Sequence, residues 1–177
     1  MDFEQLIAER FSVRSFKQVH LPQENIYKIL DAGLKAPTGC NYQPQRILVL
    51  NTDESINALK SCTKCHFNRM TYGAPVVLMV CYDKNESWVR KYDGALSAPV
   101  DAVIVSTHMM LEAQNLGVGC CWVMHFDPFA LRSTFNIPDN VEPTSLLVMG
   151  YLSEDAKPLD LHFKSKEISE IVHYESF

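Results

Sequence analysis

Glycine and proline, at 7 and 9 in this chain of 177 residues, are too few for a collagenous or low-complexity architecture. No stretch supplies the ~20 predominantly apolar residues of a membrane-spanning helix. The run from Ala74 to Tyr82 is too short, and that from Ala102 to Phe126 is broken by Glu112, Gln114, Asn115 and two histidines. Positive charge is in deficit: 16 Lys and Arg against 21 Asp and Glu leave −5 and a pI near 5.6. That balance speaks against a nucleic-acid-binding surface, though not against a small local pocket for an anion. The opening Met-Asp-Phe-Glu-Gln lacks both the basic and the apolar region of an export signal, so the chain reads as cytoplasmic, with neither membrane nor nucleic acid as partner. What remains is an ordinary globular balance, 47% apolar and 21% charged, over a length that fits one domain spanning 1–177.

The six cysteines divide by surroundings. Without an export signal a disulfide framework is not expected. Cys81 lies inside the apolar run Val76–Tyr82, where a buried thiol is the simplest reading, and Cys120 and Cys121 adjoin Trp122 and point to opposite faces of a strand. Cys62-Thr63-Lys64-Cys65, followed by His66, has the spacing of half a metal site but no second pair to complete it.

Periodicity lays out alternating helices and strands. Asp2 can cap a helix from Phe3 to about Arg10, and a second helix runs from near Pro22 to about Lys35 with Ile26, Ile29, Leu30, Gly33 and Leu34 as its core stripe. Strands are expected at Arg46–Leu50, Val76–Tyr82, Val118–Met124 and Thr144–Tyr151. A short helix capped by Thr52 or Asp53 runs to about Lys60, and another opens at Asp127-Pro128 and ends near Phe135. Residues 61–75 are weakly patterned, and Asp83–Ser97 reads as a polar surface excursion. Pro99–Leu116 is the strongest helix and is apolar nearly all round, which places it at the centre of the domain or at a subunit interface. The tail from Ser153 to Phe177 is charged and irregular, with a turn of helix near Ile168 to Val172.

Three polar segments fall where elements end. Arg10, Ser12 and Arg14 form a possible anion cradle, since guanidinium forks bind phosphate or an anionic ring edge; a dipole-favouring Arg10 and a solvated Arg14 would explain the same residues. In Pro37-Thr38-Gly39-Cys40-Asn41-Tyr42-Gln43-Pro44 the Asn and Gln amides offer donors and acceptors on a proline-braced loop, or simply make a turn. Lys164-Ser165-Lys166 could meet a terminal phosphate, or be a solvated stretch of tail.

Taken in order, these motifs resemble the FMN-dependent nitroreductase family across essentially the whole chain, most of all its short, single-domain bacterial members. The resemblance is carried by Arg-x-Ser-x-Arg from residue 10, Ala36-Pro37 with Asn41-x-Gln43-Pro44, Gly73-Ala74-Pro75 before an apolar strand, the Asp101-led helix, Gly117-x-Gly119-x-Cys121-Trp122-Val123, a strand ending in Gly150-Tyr151, and the late basic patch. It implies a three-layer α/β (α+β) fold with a mixed, mainly antiparallel central sheet flanked by helices. It also implies an intertwined homodimer with FMN at the subunit interface.

Carried over position by position, the resemblance assigns Arg10, Ser12 and Arg14 to the flavin and its chain. Pro37, Thr38, Asn41 and Gln43 meet the isoalloxazine ring, in part from the neighbouring subunit. Trp122, Val123, Met124 and His125 belong to the strand end beside the ring, where the Met124 N–H can donate to N5. Lys164 and Lys166 lie near the family's phosphate-binding residues, although close members carry Arg-Lys-Pro where this chain has Ser165-Lys166-Glu167. The implied reaction is ping-pong, with NAD(P)H delivering hydride to flavin N5 and a nitroaromatic, quinone or similar small-molecule acceptor taking the electrons; no catalytic side chain is required. Flavin fragmentation and reductive dehalogenation use the same scaffold. Outside the family, two readings compete: a flavin- or metal-binding redox sensor using Cys62, Cys65 and His66, and a cysteine hydrolase built on Cys40, for which His20, His66 and His108 carry no supporting motif.

Overall fold

The computed structural model describes residues 2–62 and 72–177. Cys65 and His66 of the possible metal motif lie outside them.

Among the described residues, five helices and four strands follow the expected pattern: α1 (Phe3–Glu9), α2 (Gln23–Leu34), β1 (Gln45–Leu50), α3 (Asp53–Leu59), β2 (Val76–Asp83), α4 (Ala98–Asn115), β3 (Gly119–Val123), α5 (Pro128–Phe135) and β4 (Val141–Gly150). Local chemistry sets their ends. The Asp2 carboxylate accepts the Gln5 N–H, Thr52 and Ser55 form a reciprocal capping box, and Asp127 accepts from Phe129 and Ala130. Asn136 closes α5 in the left-handed conformation that Asn tolerates best after Gly.

The strands form one sheet in the order β1-β2-β4-β3, with every neighbouring pair antiparallel. Among the described residues the parallel component is the bridge from Ser12 to Cys120, through which the chain after α1 runs beside the β3 edge. Alternation along the strands divides the core in two. Val76, Leu78, Val80, Cys120, Leu147 and Met149 face α2 and α4, while Val77, Met79, Cys81, Cys121, Leu146 and Val148 face the side of α3 and α5. The result is helices, sheet, helices: three layers. Cys120 and Cys121 do point to opposite faces.

Helix α4 packs on α2 at a close crossing. A Cβ on Gly33 would stand 2.8 Å from Met109 Cγ, so only glycine lets the two backbones approach this far. The inner side of α4, Ala102, Val105, Met109 and Ala113, is fully buried. Its outer side is not: Val100 and Val103 are exposed in the single chain.

One polar cluster ties the sheet end where β1 begins and β2 ends. The buried Asp83 carboxylate accepts from Asn140 Nδ2 at 2.8 Å and from the Asn85 N–H at 2.9 Å, and lies 3.7 Å from Arg46 Nη2. These partners, Asn140 foremost, hold its carboxyl below the ordinary 3.8. A depressed folded value means that the unfolded chain binds the proton more readily. The stabilisation is therefore present above the ordinary carboxylate range and is lost as pH falls through the folded value. The acid limb of a stability-versus-pH profile should be shallower in Asp83→Asn than in the parent chain. Thermal unfolding followed between pH 5 and 2 checks this, and equal slopes would contradict it.

Candidate functional site

The segment after α1 is the first element of the site. Its backbone is extended and pinned: the Val13 N–H donates to Cys120 O at 3.1 Å and the Lys17 N–H to Tyr151 O at 2.8 Å. Val13 and Phe16 are thereby turned into the core. Ser12 and Arg14, on either side of buried Val13, turn away from the core; Ser12 shares a depression with Arg10, whereas Arg14 lines a neighbouring hollow. Arg14 is exposed and curled, with Nη1 donating to Ser12 O at 3.1 Å and the guanidinium 5.9 Å from the Tyr72 ring centroid. Arg10, Ser12 and Trp122 of β3 line one depression of about 330 Å³ with Val103, Thr107 and Met110 of α4. The half-exposed outer side of α4, with Val103 and Met110, thus forms a mainly apolar wall opposite Arg10 and Ser12.

A second hollow, of about 210 Å³, lies on the other side of Ser12, where Phe11 and Arg14 face Pro158, Leu161 and His162 of the tail. The Phe11 and His162 rings meet edge to face, with centroids 6.3 Å apart. Ser15 Oγ donates to Asp155 Oδ1 at 3.0 Å, which brings the start of the tail back to the same segment. From Leu159 onward every residue is exposed, Lys164 and Lys166 included, and so are the apolar Leu161, Phe163, Ile168, Ile171, Val172, Tyr174 and Phe177. The expected turn of helix is a 3₁₀ turn at Ile168–Glu170.

At the end of β3, Val123 is buried while Met124 and His125 are exposed. The Met124 N–H meets no acceptor among the described residues. An unpaired N–H at a strand end is a ready donor to a ligand.

The loop before β1 lies elsewhere. β1 and β3 are opposite edges of the sheet, so Pro37, Thr38, Asn41 and Gln43 stand apart from Arg10 and Trp122 within one chain. The loop docks instead on the head of α4, where the Gly39 N–H donates to Asp101 Oδ1 at 2.9 Å. Cys40, Asn41 and Gln43 all have positive φ, at 47, 59 and 50°. Of the residues expected from the sequence, Arg10, Ser12 and Trp122 share one depression, Arg14 lines the neighbouring hollow with the tail, and the amide loop docks on α4. Sequence reasoning did not single out Thr107, Met110, Phe11 or His162 as neighbours of the arginines and the serine, because nothing in local pattern distinguishes a residue on the outer side of a helix from one facing solvent.

Burial pushes the Cys81 thiol up to about 12 and raises Cys120 and Cys121 as well, so all three are protonated near neutrality. Cys62 is buried, with Sγ 3.8 Å from Ala58 O, and Cys40 is exposed. No three His, Cys, Asp or Glu side chains converge as a metal site among the described residues. Nor is any helix there long and apolar enough to cross a membrane.

Comparison with known proteins adds a lineage to this geometry. The model of the Nitroreductase family matches residues 7–64 and 52–151. A nitroreductase family protein of Clostridium difficile 630, known from a crystal structure, is 39% identical, with a TM-score of 0.91 and both chains covered in full. A Methanothermobacter thermautotrophicus protein, named as a candidate NADH dehydrogenase/NAD(P)H nitroreductase, is 29% identical over 165 residues, 91% of this chain and 83% of the relative. A candidate nitroreductase of Desulfovibrio desulfuricans, crystallised in complex with FMN, shares the fold at a TM-score of 0.80 and 23% identity, over 98% of this chain and 96% of the other.

Proposed function

The chain belongs to the nitroreductase family, and we propose that it is an FMN-dependent NAD(P)H oxidoreductase whose acceptor is a nitroaromatic, a quinone or a similar oxidised small molecule. The observation that carries this reading is the grouping of Arg10, Ser12 and Trp122 around one depression whose far wall is the apolar outer side of α4. That donor set fits the cofactor: the Arg10 guanidinium and the Ser12 hydroxyl for its anionic parts, with Arg14 in the adjoining hollow, an apolar wall for its ring, and a Met124 N–H that meets no acceptor among the described residues for the ring edge.

When bound, FMN would supply the two-electron chemistry, accepting hydride from NAD(P)H and passing the electrons on. The protein's own part is binding and electrostatics. Arg14, preset by its bond to Ser12 O, places a fixed positive charge beside the site, where it favours an anionic ring over a neutral one. Trp122 and Met110 keep one side of the depression free of polar groups. Lys164 and Lys166 would meet the phosphate. Pro37, Thr38, Asn41 and Gln43 would complete the ring contacts across a subunit boundary, since β1 and β3 are opposite edges of the sheet.

That division of the site is one of three supports for an intertwined homodimer. The others are the exposed apolar side of α4 and a tail whose apolar residues are exposed among the described residues. A dimer closed by both would bury well over the ~1,200–2,000 Å² of a standard interface. A cytoplasmic location is part of the same reading.

The purified protein should be yellow, with about one FMN per chain, and should sediment as a dimer. A colourless protein that takes up no added FMN, or an FMN-loaded monomer at micromolar concentration, would contradict the reading.

A further inference from the structure

The loop between α2 and β1 holds a backbone that its sequence does not favour. Three non-glycine residues within four positions, Cys40, Asn41 and Gln43, are left-handed. That conformation is strained for a residue with a Cβ, less so for Asn, and persists only where the surroundings over-determine it. The surroundings here are specific. Asp101, in the first turn of α4, is 4% exposed. Its Oδ1 accepts the Gly39 N–H at 2.9 Å and its Oδ2 accepts the Ser97 hydroxyl at 2.8 Å. Gly39 is seated so tightly that a Cβ there would stand 2.7 Å from Ser97 Oγ and 3.3 Å from Trp88 Cβ. Thr38 Oγ1 closes the turn by accepting the Gln43 N–H at 3.1 Å.

We propose that Asp101 is a positioning residue: sealed at the head of α4, it grips Gly39 and so fixes the left-handed 40–43 backbone that presents Asn41 and Gln43 to the cofactor. The presentation to the cofactor rests on the flavin reading; the grip does not. A carboxylate in the first turn of a helix gains from the helix dipole wherever it points. A dipole role alone does not require a buried carboxylate bonded to an amide 62 residues away, nor a glycine at the receiving position. Two charge-assisted bonds satisfy the buried charge and make the contact strong enough to oppose the strain of the loop.

Amide exchange on the protein as purified, followed by FMN titration, tests both halves. In Asp101→Ala the Gly39 amide should exchange about ten- to a hundred-fold faster, as expected for loss of a bond to a charged group. The amides in the middle of α4, from Val105 to Met109, should stay protected. Asp101→Asn keeps one oxygen for Gly39 and should restore most of the protection. FMN affinity should fall by about ten-fold or more in Asp101→Ala and stay near the parent value in Asp101→Asn. Gly39→Ala keeps the carboxylate but drives a Cβ against Ser97 Oγ and so displaces the loop; it should reproduce the FMN loss, and the double variant should be no worse than either single one. An unchanged Gly39 amide in Asp101→Ala, or one that speeds up together with the α4 amides, overturns the grip. A released Gly39 amide with unaltered FMN affinity and flavin absorbance overturns the presentation to the cofactor. A parent protein that binds no FMN sinks the flavin reading and that presentation with it, whereas the Gly39 amide still judges the grip alone.

Discussion

A chain truncated after Pro158 should fold but fail to dimerise. Every residue from Leu159 to Phe177 is exposed, so its removal opens no cavity in the core, and a cooperative thermal transition should remain. What disappears is the apolar series Leu161, Phe163, Ile168, Ile171, Val172 and Tyr174, together with Lys164 and Lys166. The truncated protein should sediment as a monomer. Its FMN affinity should drop by roughly 10²–10⁴-fold, the equivalent of two charge-assisted contacts of about 1.5–3 kcal/mol each. A truncated chain that stays dimeric with unaltered FMN affinity would show that the tail has neither role.

The cationic residues should separate by ligand. Arg14→Ala is expected to weaken both FMN and riboflavin by about 1.5–3 kcal/mol, and to lower the flavin reduction potential, because an anionic ring loses its nearby charge. Lys166→Ala should weaken FMN by a similar amount and leave riboflavin almost unchanged, since riboflavin lacks the phosphate. The tail departs from the family's Arg-Lys-Pro at this point, so Lys164→Ala is the necessary companion. If Lys164 holds the phosphate, the FMN-only loss moves to that variant. Parent-like FMN affinity in both lysine variants would remove the tail cations from the site.

Much of the scaffold could be read from the sequence because burial writes a period into it. The stripe of Ile26, Ile29 and Gly33 marked the core side of α2, and the unbroken apolar run Val76–Cys81 marked a central strand covered on both faces. Caps were legible for a related reason, since a Ser, Thr or Asp at a helix start has a local job that its neighbours reveal. The even apolarity of α4 was legible too, and its meaning divides in the structure: one side is core, the other an open wall beside Arg10 and Trp122.

What depended on long-range placement was not legible. Asp101 entered only as the leading residue of its helix, and its partner Gly39 lies 62 positions earlier. The left-handed Cys40 and Gln43 carry no sequence signal, because neither residue type favours that backbone and both are held there by tertiary contacts. Nor could spacing reveal that the amide loop and the arginine–serine segment sit at opposite edges of the sheet, since edge order follows from strand pairing.

Anaerobic stopped-flow mixing of the FMN-loaded protein with NADH and with NADPH is the most direct test of an oxidoreductase built on this site. Bleaching of the flavin band by at least one nicotinamide, with the colour returning when a nitroaromatic or quinone is added, is the expected result. An FMN-loaded dimer that neither nicotinamide bleaches would contradict it.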